Sequence, residues 1–311
     1  MVSRPALPVP EALRDEELIR KHYERMARAG LEEDLGYGPD LTTLSTIAKD
    51  QVGRRVLRSR ASGVLSGLDA ISVLLKVAAE PEWGLGGTVE FRTALSNGDR
   101  VQPGKEVALL EGDLRAMLQL ERSMLNIVSH ASAIATHTAE WVERLPEGVV
   151  VRDSRKTLPG LRMLQKRAVV HGGGAPHRWA LGDQVMVKDN HVLSQADHSQ
   201  PGSGAEDAGD VVAAYKLVQH CGQWIEVEVD DLEQLRAILP YKPMQILLDN
   251  FSLEETRQAV ALRDEHSPAT LLESSGGLTL DNAADYGATG VDSIAVGALT
   301  HSVTVLDLGL D

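Results

Sequence analysis

Trp224-Ile225-Glu226-Val227-Glu228-Val229, Gln245-Ile246-Leu247-Leu248-Asp249-Asn250, Thr270-Leu271-Leu272-Glu273-Ser274-Ser275-Gly276-Gly277 and Ser293-Ile294-Ala295-Val296-Gly297-Ala298 repeat one pattern. A short apolar run stops at a polar or glycine-rich turn, and helix-forming sequence follows. Val149 to Arg152 and Gln184 to Val187 extend the series upstream. Near-continuous apolar runs alternating with helices indicate parallel strands buried on both faces. The helices carry their own start signals: Asp230 or Asp231 can cap one through Leu239, and Ser252 with Glu255 has the spacing of a capping box. Spacing of this kind predicts a barrel or a doubly wound sheet, and in both folds ligands bind where the strands' carboxyl ends meet the following loops.

Those ends read, in order, Asp153-Ser154-Arg155-Lys156, Lys188-Asp189-Asn190-His191, Glu228, Asp249-Asn250, Ser274-Ser275-Gly276-Gly277 and Gly297-Ala298. A purely structural chain has no need of charge at so many strand ends, so convergence on one mouth is expected. Ser194 to Gly209, rich in Gly, Ser and Asp, reads as a surface loop insertion. The N-terminal part has a different texture. Glu11 to Ala29 has the pattern of an amphipathic helix and Leu68 to Ala79 of a second, while Arg54 to Ser59, Gly87 to Thr93 and Glu106 to Glu111 have the pattern of strands. The turn Gly98 to Gly104 resembles the hairpins of biotinyl and lipoyl carriers, but Lys105 follows the turn and does not sit at its tip, so that likeness is structural only.

Composition narrows the function. The net charge of −14 opposes nucleic-acid binding, because a phosphate backbone would be repelled. Between Arg152 and Asn190, however, eight basic residues face three acidic ones. A local excess of five positive charges in an acidic protein points to a site for a small polyanion. Of those eight, Lys166 and Arg167 are expected on the solvated face of a helix. Cys221 is the single cysteine, so an intrachain disulfide and a cysteine zinc site are both excluded. The first thirty residues lack an apolar signal region and no run has the length of a membrane span. A soluble, cytoplasmic protein that avoids membranes is expected.

Within the basic segment, Arg155 offers a planar fork for a carboxylate and Lys156 a point charge for phosphate or a second carboxylate. Alone, such a turn is more often solvated than a site. His171-Gly172-Gly173-Gly174-Ala175-Pro176-His177-Arg178 follows a helix, so a glycine cap explains part of it; three glycines exceed that need and would let the backbone approach a ligand, delivering His177 and Arg178. Glu228 and Asp249 end strands where two carboxylates could hold Mg²⁺ or face developing positive charge, or serve merely as helix caps. Ser275-Gly276-Gly277 and Gly297-Ala298 suit a phosphate, although glycines also end strands for packing.

Together with Glu121-Arg122-Ser123-Met124-Leu125-Asn126, Thr157-Leu158-Pro159-Gly160-Leu161-Arg162 and Val296-Gly297-Ala298-Leu299-Thr300-His301-Ser302, these segments resemble quinolinate phosphoribosyltransferases over nearly the whole chain. The resemblance implies an α/β protein: an N-terminal open α/β sandwich over residues 1–121, joined by 302–311, and an incomplete (β/α) barrel over 122–301. It implies transfer from phosphoribosyl pyrophosphate to quinolinate with decarboxylation, giving nicotinate mononucleotide. Quinolinate would be held by Arg155, His177, Arg178 and Lys188, with Arg122 reaching in from the partner of a homodimer or a higher oligomer. Lys156, Glu228 and Asp249 would be catalytic and, with Ser275, Gly276, Gly277, Gly297 and Ala298, would face phosphoribosyl pyrophosphate. Glu228 and Asp249 would also face Mg²⁺, directly or through water. Pro176 departs from the family pattern, which has Asn before the His-Arg pair. A phosphoribosyltransferase acting on nicotinate or another small acid, and a catalytically silent metabolite-binding homologue, are the rival expectations.

Overall fold

The computed structural model describes residues 4–85, 87–193 and 208–311. Most of the insertion expected at 194–209 therefore lies outside the described residues. In chain order the elements are α1 (Glu16–Leu35), α2 (Leu41–Thr46), β1 (Val52–Ser59), β2 (Gly63–Val64), α3 (Leu68–Ala78), β3 (Val89–Arg92), β4 (Arg100–Val101), β5 (Glu106–Asp113) and α4 (Leu114–Arg144). They continue with β6 (Val150–Arg152), α5 (Arg162–His171), β7 (Val185–Val187), α6 (Asp189–Leu193), α7 (Ala208–Val218), β8 (Ile225–Val229), α8 (Leu232–Ile238) and β9 (Gln245–Asp249). The last are α9 (Leu253–His266), β10 (Leu271–Ser275), α10 (Ala283–Gly287), β11 (Ser293–Ala295), α11 (Ala298–His301) and β12 (Leu308–Leu310). They form two compact units interleaved in sequence: residues 11–139, 156–174 and 298–311 make one, and 1–10, 140–155 and 175–297 the other. The junction expected at 121/122 falls inside α4, a continuous 31-residue helix.

The first unit is built on an antiparallel sheet in the order β12-β1-β5-β3, so the C-terminal residues 308–310 add an edge strand to β1. Helix α1 starts later than its periodicity suggests, because the Asp15 side chain accepts from the Glu17 and Leu18 amides and caps it there; Glu11–Leu13 is a separate 3-10 turn. Its buried residues Ile19, Tyr23, Ala27 and Leu31 recur every fourth position, the apolar stripe that packs on α3. The expectation that Lys166 and Arg167 lie on a solvated helix face is overturned. Helix α5 packs against both α1 and α11 and has no broad solvent face. Lys166 is fully buried, and Arg167 donates to the Tyr23 hydroxyl at 3.0 Å and to Asp69 at 2.9 Å.

The second unit is a six-stranded parallel sheet in the order β6-β11-β10-β9-β8-β7. Its first strand in sequence pairs with its last, and the following strands run round in chain order, which is the connectivity of a barrel and not of a doubly wound sheet. β6 and β7 do not pair, so the barrel is open there. Beside β6, Ala175 donates to the Val151 carbonyl and forms a parallel bridge with Arg152. This pairing explains how Pro176 is tolerated. In extended chain alternate amides point the same way, so Ala175 and His177 face β6 while position 176 faces away and needs no N–H. Asp231 caps α8, and Ser252 with Glu255 closes the capping box of α9.

Candidate active site

Alternate residues of a strand share a face. On the outer face of the second sheet Val227, Ile246, Leu248, Leu272 and Ile294 are fully buried and apolar. The inner face carries polar side chains in two tiers, alongside the apolar Leu247, Leu271 and Ala295. The lower tier is Arg152 (β6), Ser293 (β11), Glu273 (β10), Gln245 (β9) and Glu226 (β8), all fully buried, with His177 and Gln184 beside them. One oxygen of Glu273 accepts from Arg152 Nη1 at 2.8 Å, from Ser293 Oγ at 2.6 Å and from Gln245 Nε2 at 3.2 Å. His177 Nε2 lies 2.8 Å from Glu226 and 3.5 Å from Glu273. Burial opposes the charge on Glu273, yet Arg152 and His177 hold its carboxyl well below the usual range. His177, Glu226 and Glu273 are the one set of potential metal ligands grouped together among the described residues. The Arg152 guanidinium already occupies that set's charge, so it does not suit a cation.

The upper tier lies at the strands' carboxyl ends. Lys188 after β7 is ion-paired with Glu228 of β8. Asp249 ends β9, Ser275 ends β10, and Gly276 and Gly277 follow it. Burial pushes the Glu228 carboxyl up; Lys188 opposes that shift, and the nearby charges of Asp249 and Asp189 reinforce it. At Gly276 φ is +85° and an added Cβ would meet Asn250 Oδ1 at 2.1 Å, so only glycine fits where the β10 turn closes on the β9 turn. Arg155, Arg178 and Gly297 complete the tier. The Arg178 guanidinium is buried and disfavoured as a cation, by desolvation first and then by the neighbouring charge of Arg155. Arg155 Nε is buried without a hydrogen-bond acceptor. Two cations held close, one with an unmet donor, form a receptor for anionic oxygens.

Of the residues expected from the sequence, Arg155, His177, Arg178, Lys188, Glu228, Asp249, Ser275, Gly276, Gly277 and Gly297 belong to this one unit. Arg122, Lys156 and Ala298 belong to the other. Arg122 is exposed on α4, and the Lys156 carbonyl accepts from Thr300 Oγ1 at 2.8 Å. That unit has a cavity of about 500 Å³ whose wall carries Glu33 and Asp34 against the single Arg25, a poor match for a dianion. The Gly172–Gly174 run has more structural reason than a ligand role requires: a Cβ at Gly172 would come within 2.4 Å of the Ala135 carbonyl, and Gly173 turns at φ +89°. Sequence reasoning passed over Arg152, Glu226, Gln245 and Glu273 as site-forming residues. The available signal was charge inside an otherwise apolar strand run.

Known proteins agree with this architecture. Residues 40–132 match the family described as quinolinate phosphoribosyl transferase, N-terminal domain, and residues 134–311 match the corresponding C-terminal domain. The chain is 45% identical over 288 residues to the nicotinate-nucleotide pyrophosphorylase [carboxylating] of Mycobacterium leprae, covering 91% of this chain and 95% of that protein. It is 35% identical over 301 residues to a probable enzyme of the same name from Methanocaldococcus jannaschii, covering 94% and 98%. The solved structure of the nicotinate-nucleotide pyrophosphorylase from Francisella tularensis superposes with a TM-score of 0.79 at 29% identity, covering 94% of this chain and 96% of that one. Two domain matches in order, on a fold whose inner face carries the charged residues that the motifs contain, place this chain in the quinolinate phosphoribosyltransferase family.

Proposed function

We infer that this chain transfers the phosphoribosyl group of phosphoribosyl pyrophosphate to the ring nitrogen of quinolinate and releases CO2 and pyrophosphate, leaving nicotinate mononucleotide. The observation that carries this is the pair Arg155 and Arg178, mutually repelling and incompletely satisfied within the barrel unit. A small dicarboxylate relieves that repulsion, each charge-assisted contact contributing about 1.5–3 kcal/mol. Carboxylate oxygens of Glu228 and Asp249 are hard donors of the kind Mg²⁺ takes alongside substrate phosphates, so the upper tier fits that ion. When bound, Mg²⁺ neutralises the pyrophosphate leaving group. Glu228 and Asp249 face the positive charge that develops on the ribose as the pyrophosphate departs. Lys188, already beside Glu228, adds a third cation for the carboxylates. N-ribosylation makes the pyridine ring an electron sink: the C2–carboxylate bond breaks, CO2 leaves, and the C2 ylide left behind takes a proton from solvent, so no covalent protein nucleophile is needed.

By the family resemblance the enzyme is a homodimer in which the partner supplies Arg122, and Lys156 and Ala298 join Ser275, Gly276, Gly277 and Gly297 around the phosphates; its single cysteine suits the reducing cytoplasm. The test is direct. Purified protein given phosphoribosyl pyrophosphate, Mg²⁺ and quinolinate labelled in the C2 carboxyl should release label and mononucleotide in equal amounts. Nicotinate, with one carboxylate for the cation cluster, should be a poor substrate. Equal or faster use of nicotinate would assign the chain the rival activity.

A further inference from the structure

Ala175, His177 and Arg178 are held in succession by backbone bonds. The Ala175 amide donates to the Val151 carbonyl at 2.9 Å, the His177 amide to Asp153 Oδ1 at 2.7 Å, and the Arg178 amide to His177 Nδ1 at 2.8 Å. Pro176 has no amide to satisfy. The Arg178 amide is aimed at Nδ1 as at an acceptor, which assigns His177 the neutral Nε2–H tautomer; desolvation also disfavours the cation, whereas Glu226 beside Nε2 favours it and the balance raises the pKa. Its Nε2 lies against Glu226 at 2.8 Å, and the residue is only 4% exposed. Nδ1 is thus committed to the main chain of Arg178, and Nε2 is enclosed by the Glu226 and Glu273 carboxylates of the barrel floor.

From this geometry we propose that His177 is a positioning residue: it does not pair with a substrate carboxylate but ties Arg178 to the buried carboxylates, fixing where that guanidinium stands. The role rests on the quinolinate assignment above, since it is Arg178 that meets the substrate. Asp153, fully buried and bound to the His177 amide, is the second tether of the same segment. Protonating Nδ1 would break the bond to Arg178, so a cationic His177 and a fixed Arg178 exclude each other.

The two contacts can be separated in the full-length enzyme. Asn places an acceptor near Nδ1, whereas Gln places an amide donor near Nε2. His177→Asn should keep the Arg178 amide slow to exchange with solvent and lose several-fold less kcat/KM for quinolinate than His177→Gln. Arg178→Ala should lower kcat/KM about ten- to a hundredfold, and adding His177→Ala to it should change that loss by no more than about twofold. In ¹⁵N spectra the His177 ring should stay in the Nε2–H form when quinolinate is added. Losses that multiply in the double variant, Gln matching or exceeding Asn, or an imidazolium forming on quinolinate addition would each overturn the assignment. Amide exchange and the ring spectra need no turnover, so they decide the His177 role even if the wild type fails to use quinolinate, a result that overturns only the function. If His177→Ala does not fold, the Asn and Gln variants still decide it.

Discussion

Glu273 and Glu228 are carboxylates on the inner face of one sheet, yet their surroundings drive them in opposite directions. Glu273, in the lower tier, accepts from Arg152, Ser293 and Gln245 and sits well below the usual carboxylate range. Glu228, in the upper tier, has Lys188 as its ion-pair partner, two acidic neighbours and a raised pKa. The lower tier sets Arg152 against Glu273, although Arg152 Nε and Nη2, Glu226 Oε1 and Glu273 Oε1 are buried without hydrogen-bond partners; the upper tier carries like charges near one another on both sides, Glu228 with Asp249 and Arg155 with Arg178. Net repulsion within a site is a stored preference for a ligand of mixed charge, and the two-tier contrast separates residues that hold the barrel from residues that use it.

The sharpest way to break this contrast is Arg152→Met. Removing the cation leaves Glu273 and Glu226 buried without compensation and should destabilise the fold by about 3–5 kcal/mol, read by chemical denaturation. Adding Glu273→Gln should restore part of the loss. A stable single variant would mean that the lower tier is not held by its own charges. The corresponding change above, Arg155→Ala, should lower kcat/KM for quinolinate about ten- to a hundredfold while the melting temperature stays level or rises. If it melted much earlier, the distinction between the tiers would collapse.

The smallest effect tests the titrations. The folded protein raises the Glu228 pKa, so its ionisation favours the unfolded chain; that penalty is absent below the ordinary carboxylate range and grows as pH rises through the raised value. Glu228→Gln removes it and should raise the melting temperature by a few degrees at most near neutral pH, the gain fading in acid. Glu273 has the opposite sign. Its contribution is complete above the ordinary range and is lost only as pH falls far below it. Carboxyl ¹³C titration should therefore show Glu228 taking up its proton first, and the reverse order would contradict both assignments.

Much of this protein was legible in the residues alone. Apolar runs with polar ends set six parallel strands, Asp231 and the Ser252–Glu255 pair announced their helices, and the local excess of basic residues between Arg152 and Asn190 drew attention to the segments that carry Arg155, Arg178 and Lys188. These features are written in neighbouring residues, where periodicity and capping act. Pairing between distant strands is not written there, because it depends on how the sheet curves and on which ends meet. Only the tertiary structure joined β6 to β11, chose a barrel, and put Ala175 beside the open edge. It also decided the fates of charged side chains. Lys166, expected in solvent, is buried because α5 packs against both α1 and α11, and the Nε2 of the buried His177 lies 2.8 Å from Glu226 of another strand. A charge is assigned by the groups around it, and those come from remote parts of the chain.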